Sequence, residues 1–174
     1  MYLARLLHLF YATPLAYIAL GASLLLALSA AAQPTPYEPV LQLTGNLGSY
    51  SRTGLRLDLK ALEQLPQHSF STNTPWTRTP QTYTGPLLRD VLALAQANGT
   101  SIKATALNEY QVTIPVTDAR TYDVIIAHRI NGKAIPVRER GPFFIIYPFD
   151  SKPELKSARF YERSIWQLQS LQVN

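Results

Sequence analysis

Two short runs of large apolar side chains limit what this chain can fold into. They are Val124-Ile125-Ile126-Ala127 and Phe143-Phe144-Ile145-Ile146-Tyr147. A continuous apolar run of about four to eight residues between turn signals reads as a strand buried on both faces. The first run predicts a buried strand over Val124–Ile130. The second predicts another, introduced by Gly141-Pro142 and ended by Pro148. Between them, Asn131-Gly132 is a tight-turn signal leading into Lys133–Val137, because both residues tolerate positive φ.

The remaining pattern fills in around that pair. Val40–Thr44 alternates and predicts a strand ended by Gly45-Asn46. Asp58 is placed to cap a short helix, LKALEQL, which stops at Pro66. His68–Thr74 reads as extended. The clearest helical pattern follows, with Thr84 as N-cap and Pro86 in the first turn. Leu87, Leu88, Val91, Leu92 and Ala95 then form one apolar face, and Gly99 closes the end. Ile102–Leu107 and Tyr110–Ile114 read as strands around Asn108-Glu109. Asp118-Ala119-Arg120 reads as a turn, and Ile165–Val173 as a final strand. The expectation is one α+β domain over residues 40–174, a strand-rich mixed sheet with one main helix and short helices.

The N-terminus reads differently. Residues 1–32 have Arg5 near their start, an apolar run from Pro14 to Ala30, and the small-residue site Ala30-Ala31-Ala32. That pattern predicts a secretory signal peptide cleaved after Ala32, with a retained membrane anchor as the alternative. Residues 33–39 form a linker that Pro34 and Pro36 keep extended. The exported chain would have 174 − 32 = 142 residues and a formal charge of 15 − 11 = +4. No Lys/Arg block of nucleic-acid type occurs, and export argues against nucleic acid as well. Arginines outnumber lysines, and their forks suit planar or anionic ligands. The chain has no cysteine. Its core must therefore hold it without disulfides, and it has neither a thiolate nucleophile nor a thiolate metal ligand.

Three stretches stand out as candidate sites. Residues 70–78, FSTNTPWTR, place hydroxyl and amide side chains ahead of a large ring. They read either as a pocket wall or as a surface loop plugged by Trp76. Arg129, Arg138 and Arg140 cluster around the Asn131-Gly132 hairpin. The tail interleaves Tyr147, Phe149, Phe160, Tyr161 and Trp166 with Lys156, Arg159 and Arg163. Aromatic and basic residues together fit a flat ligand carrying an anion, a partner surface, or simply core. Hydrolase chemistry has little support. His68 and His128 have no metal-ligand spacing, and no G-x-S-x-G, P-loop or G-x-G-x-x-G occurs. Asp118 and Asp123 are a pair of acids for which turn roles are commoner than catalysis.

The order of these pieces carries a resemblance. Tyr83-Thr84-Gly85-Pro86-Leu87-Leu88-Arg89-Asp90-Val91-Leu92 resembles the Trp-x-Gly-x-x-Leu-x-x-Leu segment of the molybdopterin-binding domain of the sulfite oxidase family. Asn108-Glu109-Tyr110 is similar to that family's Asp-Gly-Tyr turn. Val124-Ile125-Ile126-Ala127 with Asn131-Gly132-Lys133 resembles its central strand and hairpin. Gly141-Pro142 with Ile145-Ile146-Tyr147-Pro148 resembles its G-x-P-x-R-x-x-x-P stretch, and Ile165-Trp166-Gln167-Leu168 its closing strand. The resemblance runs from about Val40 to Val173. Two departures stand out. Thr72 lies at or near the position where the family's enzymes ligate molybdenum through a cysteine, and Phe144 stands where an arginine is expected.

The resemblance therefore implies a scaffold kept without its metal anchor. A pterin edge resembles guanine, with acceptors for arginine and donors for a carboxylate or a carbonyl, and its ring can stack. On this reading Thr72, Asn73, Trp76, Arg78, Tyr110, Arg129, Arg138 and Tyr147 are the candidate pterin contacts. Thr72 and Asn73 would meet the ring edge, Trp76 or Tyr147 would stack, and Arg129 and Arg138 would donate to acceptors. No catalytic residue and no metal are expected. Small exported proteins of this type resemble the PruR-like periplasmic pterin-binding proteins. That resemblance implies a sensory and regulatory partner of a membrane cyclic-di-GMP synthase or phosphodiesterase. The alternatives are a periplasmic molybdopterin-dependent oxidoreductase without a protein thiolate and a ligand-free scaffold.

Overall fold

The computed structural model describes residues 38–174. The signal peptide expected over residues 1–32 and most of the expected 33–39 linker lie outside them. Among the described residues, eleven strands form three sheets, accompanied by four short α-helices. The largest sheet has the order β2-β1-β11-β5-β6, built from β1 (Val40–Gly45), β2 (Leu55–Asp58), β5 (Ser101–Ala106), β6 (Gln111–Pro115) and β11 (Leu168–Val173). Its β1–β11 pair is parallel and its other pairs are antiparallel. Alternation shows directly in burial: Leu41 and Leu43 of β1, Ile102 and Ala104 of β5, and Leu171 and Val173 of β11 face the core.

The second sheet has the order β3-β4-β8-β9 over Gln67–Thr72, Gln81–Pro86, Arg129–Ile130 and Lys133–Ala134. The third pairs β7 (Ile125–Ala127) with β10 (Phe144–Ile146), which are the two apolar runs. Every residue of both strands is buried, as expected of strands covered on both faces. The helices are α1 (Leu59–Glu63), α2 (Leu88–Leu94), α3 (Val116–Thr121) and α4 (Ala158–Arg163). Asp58 caps α1 by accepting from the Ala61 N–H at 2.7 Å, as its position in the sequence predicts. Asn131 and Gly132 both have positive φ, 50° and 76°, and close the β8–β9 hairpin.

Several expectations are corrected. Thr84 does not cap a helix. It lies in β4, opposite Ser69 and Arg129, and its hydroxyl shares a 2.7 Å hydrogen bond with Ser69. Six consecutive pairs with β3 outweigh a local cap, so α2 begins only at Leu88. There a tertiary partner satisfies the first free donor, with the Leu88 N–H donating to the Val124 carbonyl at 2.8 Å. The helix ends at Leu94, well short of Gly99. Asp118-Ala119-Arg120 is helical, within α3. The strand expected over Val124–Ile130 breaks at His128, because its halves join different sheets. Here β7 pairs with β10, while β8 pairs with β4 and β9. The strand expected over Lys133–Val137 stops at Ala134, and the final strand starts at Leu168.

The break is pinned by its own side chain. His128 is buried, its Nε2 is 2.8 Å from Gln67 Oε1, and its Nδ1 is 3.8 Å from Glu63. Burial lowers its pKa below the ordinary imidazole value, with Glu63 pulling the other way. Nearby, Gly85 lets β4 press on β7, where an added Cβ would land on the Ile126 carbonyl.

Two predictions follow from this junction. Gly85→Ala destabilises the protein by about 2 kcal/mol or more, read by urea unfolding, because the obstacle is backbone and not a side chain that can swing away. The second concerns pH. The folded state binds the His128 proton less well than the unfolded state, whose pKa is 6.5. Stability is therefore full above about pH 6.5 and falls as the pH drops below it, and His128→Gln flattens that part of the urea midpoint-versus-pH curve.

Candidate functional site

The stretch FSTNTPWTR is held at its first half and open at its second. Thr72 ends β3 with its side chain buried, and its hydroxyl oxygen accepts from the Asp150 N–H at 3.1 Å. Asn73 donates twice to Asp150 Oδ2, from its backbone N–H at 2.6 Å and its amide at 2.9 Å. Lys156 reaches Oδ1 of the same carboxylate at 2.7 Å. Lys156 and the Asn73 N–H together hold the Asp150 carboxyl down to about 2, well below the ordinary range. The chain then turns on Thr74. Its hydroxyl shares a 2.9 Å bond with Thr77 and lies 3.3 Å from the Trp76 N–H as acceptor, a local Ser/Thr-type turn that carries the chain from β3 to the indole.

Trp76 lands among four other rings. Its centroid is 6.2 Å from Phe144, Phe149 and Tyr161, and 5.5 Å from Trp166 at 85°. Beside it opens a cavity of about 360 Å³, within the range of small-molecule sites. Trp76, Tyr161, Trp166 and Tyr110 supply its aromatic wall. Ala106 ends β5, and Asn108 and Tyr110 come from the β5–β6 turn. Tyr161, Glu162, Ser164, Ile165 and Trp166 come from α4 and the segment after it. Glu109, with φ of 67°, makes the β5–β6 turn tight, and Asn108 Oδ1 accepts from the Tyr110 N–H at 3.2 Å.

The α4 wall is fastened from behind. Arg163 Nη1 donates to Asp118 Oδ2 at 2.7 Å, and the Tyr147 hydroxyl donates to the same oxygen at 2.8 Å. Burial, followed by the Asp118 charge, pushes the Tyr147 phenol far above its ordinary pKa. The Ser164 hydroxyl donates to the Phe160 carbonyl at 3.0 Å at the helix end. Arg140 lies over Trp166, its guanidinium carbon 5.8 Å from the ring centroid. Beneath the wall, Tyr83 packs edge-on to Phe144. Its buried hydroxyl has no hydrogen-bond partner in bonding geometry among the described residues.

Of the eight candidate contacts, the structure brings Trp76 and Tyr110 to one cavity. Thr72 and Asn73 adjoin Trp76 in sequence, but their polar atoms hold Asp150. Tyr147 is fully buried and bonded to Asp118, so its ring is core and not a stacking face. Arg129 lies in the second sheet and pairs with Glu63 at 2.9 Å. Arg78 and Arg138 are exposed and outside the cavity lining. Asp118 and Asp123 are not a catalytic pair, since Asp123 pairs with Arg89 at 2.8 Å while Asp118 holds Arg163. Glu162, Asn108 and Ser164 were not legible as site residues. Tyr161 and Trp166 belonged to the aromatic tail, which carried the usable signal.

A comparison with family models matches residues 46–149 to the oxidoreductase molybdopterin binding domain, more than half of the 174-residue chain. The chain belongs to this family. No curated protein matches it. The molybdopterin-domain match takes in Trp76 and the β5–β6 turn but ends before Tyr161, Glu162 and Trp166. The cavity is thus walled on one side by the family segment and on the other by the chain that follows it. As a donor set it suits a flat ring: aromatic faces, one carboxylate and one side-chain amide. The chain supplies no thiolate, and among the described residues no group of three or more His, Asp or Glu gathers to hold a metal.

The Asp118 pair should be fold-critical as well as site-forming. Arg163→Ala leaves a buried carboxylate without its cation and lowers unfolding stability by about 3 kcal/mol, measured by urea titration.

Proposed function

We propose that this protein is a periplasmic pterin-binding protein that acts without metal, as a sensory partner of a membrane cyclic-di-GMP signalling enzyme. The observation that carries the ligand is the cavity beside Trp76, in a chain of the molybdopterin-binding family. Its walls are rings, and a pterin is a flat heteroaromatic that stacks on them. No lysine or arginine is among its lining residues, and its one formal charge, Glu162, is negative. Arg140 lies over the Trp166 ring but outside that lining, so the cavity offers the phosphate of molybdopterin no cation of its own, whereas an unphosphorylated pterin needs none. Trp76 would hold the ring face, with Tyr161 and Trp166 framing it.

Regulation, and not turnover, fits a site with this donor set. With no cysteine, a molybdenum atom would have no protein thiolate to balance its charge. Export and the membrane partner come from the N-terminal pattern and the family resemblance. Trp76 also offers a route by which occupancy is read outside the cavity. It packs on Phe149, next to the Asp150 carboxylate that anchors Thr72 and Asn73. The second reading is a molybdopterin-dependent oxidoreductase whose metal is held by the pterin dithiolene alone, a reading compatible with the family's description.

Native mass spectrometry of the protein purified from a bacterial periplasm separates the two. The expected result is a small adduct identified as a metal-free pterin. Stoichiometric molybdenum with electron-acceptor turnover would establish the oxidoreductase instead, and failure to reach the periplasm would remove the sensory assignment.

A further inference from the structure

Glu162 is the one charged residue lining the cavity, and it stands in an unusual position for a surface carboxylate. It has no ion-pair or hydrogen-bond partner among the described residues. Its neighbours on both sides are fixed. Tyr161 packs on Phe149 at 4.9 Å and on Trp76 at 6.2 Å, and Arg163 is paired with the buried Asp118 at 2.7 Å. The helix end just beyond is closed by Ser164. The backbone carrying Glu162 is therefore held in place, while the carboxylate itself has nothing to bind. Asn108 complements it. Its side-chain oxygen accepts from the Tyr110 N–H, which leaves the amide NH₂ as a free donor on the same lining.

We propose that Glu162 is the specificity residue of this cavity and reads a ligand edge that presents two parallel N–H donors, the amino group and ring N–H of a 2-amino-4-oxopyrimidine ring. A carboxylate accepts such a pair with two parallel charge-assisted bonds, the geometry it uses with guanidinium. The Asn108 amide supplies a donor for the ring's acceptors. The inference rests on the pterin reading of the cavity and goes beyond it in naming the edge that is read. Glu162 also lies outside the segment that matches the family, so the family match says nothing of this position.

The same edge occurs in pterins and in guanine, so the test must separate them. Binding of pterin, lumazine and guanosine to the purified protein is measured by calorimetry at neutral pH. Lumazine keeps the pteridine rings but carries a carbonyl in place of the amino group, and so presents an acceptor to the carboxylate. The wild-type protein should prefer pterin over lumazine by about tenfold or more, the effect of one charge-assisted bond lost and an acceptor opposed. Glu162→Gln should bring the preference near one or invert it, because its amide can donate to the lumazine carbonyl. Trp76→Ala should weaken both pteridines alike, and Glu162→Asp should retain the preference for pterin. Residue 162 is exposed, so the two Glu162 variants keep the fold.

Equal binding of pterin and lumazine by the wild type, or an unchanged preference in Glu162→Gln, overturns the role of Glu162 and leaves a pteridine site standing. Glu162-dependent binding of guanosine in preference to pterin keeps the edge reading and removes the pterin assignment. Binding of none of the three removes both.

Discussion

The packing of Trp76 is the contact on which the candidate site depends. One indole meets rings from β10, the segment after it, α4, and the segment before β11. Each tilted or edge-on pair contributes about 0.5–1.5 kcal/mol beyond its buried area, so the cluster is worth several kcal/mol. The geometric consequence matters more. Trp76 is only half-buried, so the side chain that fastens these segments together also leaves a face beside open space. Without a disulfide in the chain, ring packing of this kind must do the fastening.

Two carboxylates make that cluster possible, and they work in different ways. Asp150 is near the surface and holds the entry to the Trp76 turn, gathering Thr72, Asn73 and Lys156 around one side chain. Asp118 is buried and takes Arg163 and Tyr147 on a single oxygen. A surface carboxylate of the first kind arranges a loop at modest cost. A buried one of the second kind is expensive to desolvate and tolerable only because its partners satisfy it together. It reaches across 45 residues to fix α4, and with it the far wall of the cavity. The fold thus builds its cavity from a family segment on one side and a pinned helix on the other.

The sequence was most legible where local chemistry and tertiary packing agree. Asp58 caps α1, Asn131-Gly132 closes a hairpin with both φ positive, and the two apolar runs pair with each other as buried strands. It misled where long-range pairing outweighed a local signal. Thr84 has the features of an N-cap, but six backbone pairs with β3 and a hydroxyl bond to Ser69 hold it in a strand. Among the site residues, Trp76 was visible as the ring of a polar stretch that reads as a pocket wall, and Tyr110 as part of a turn resembling the family's. Arg129 and Tyr147 looked equally apt, but Glu63 and Asp118 lay far away in sequence and took their polar groups.

By itself the sequence determined the class: strand-rich α+β, free of disulfides, with a central pair of interior strands and the order of motifs of a molybdopterin-binding domain. Those properties follow from side-chain volume, polarity and turn chemistry read a few residues at a time. Only the tertiary structure decided which polar side chains remain free to meet a ligand. That depends on which distant residue reaches each one first. Thr72, Asn73, Arg129 and Tyr147 were taken by partners in the fold, and Glu162 was left on the cavity lining with none.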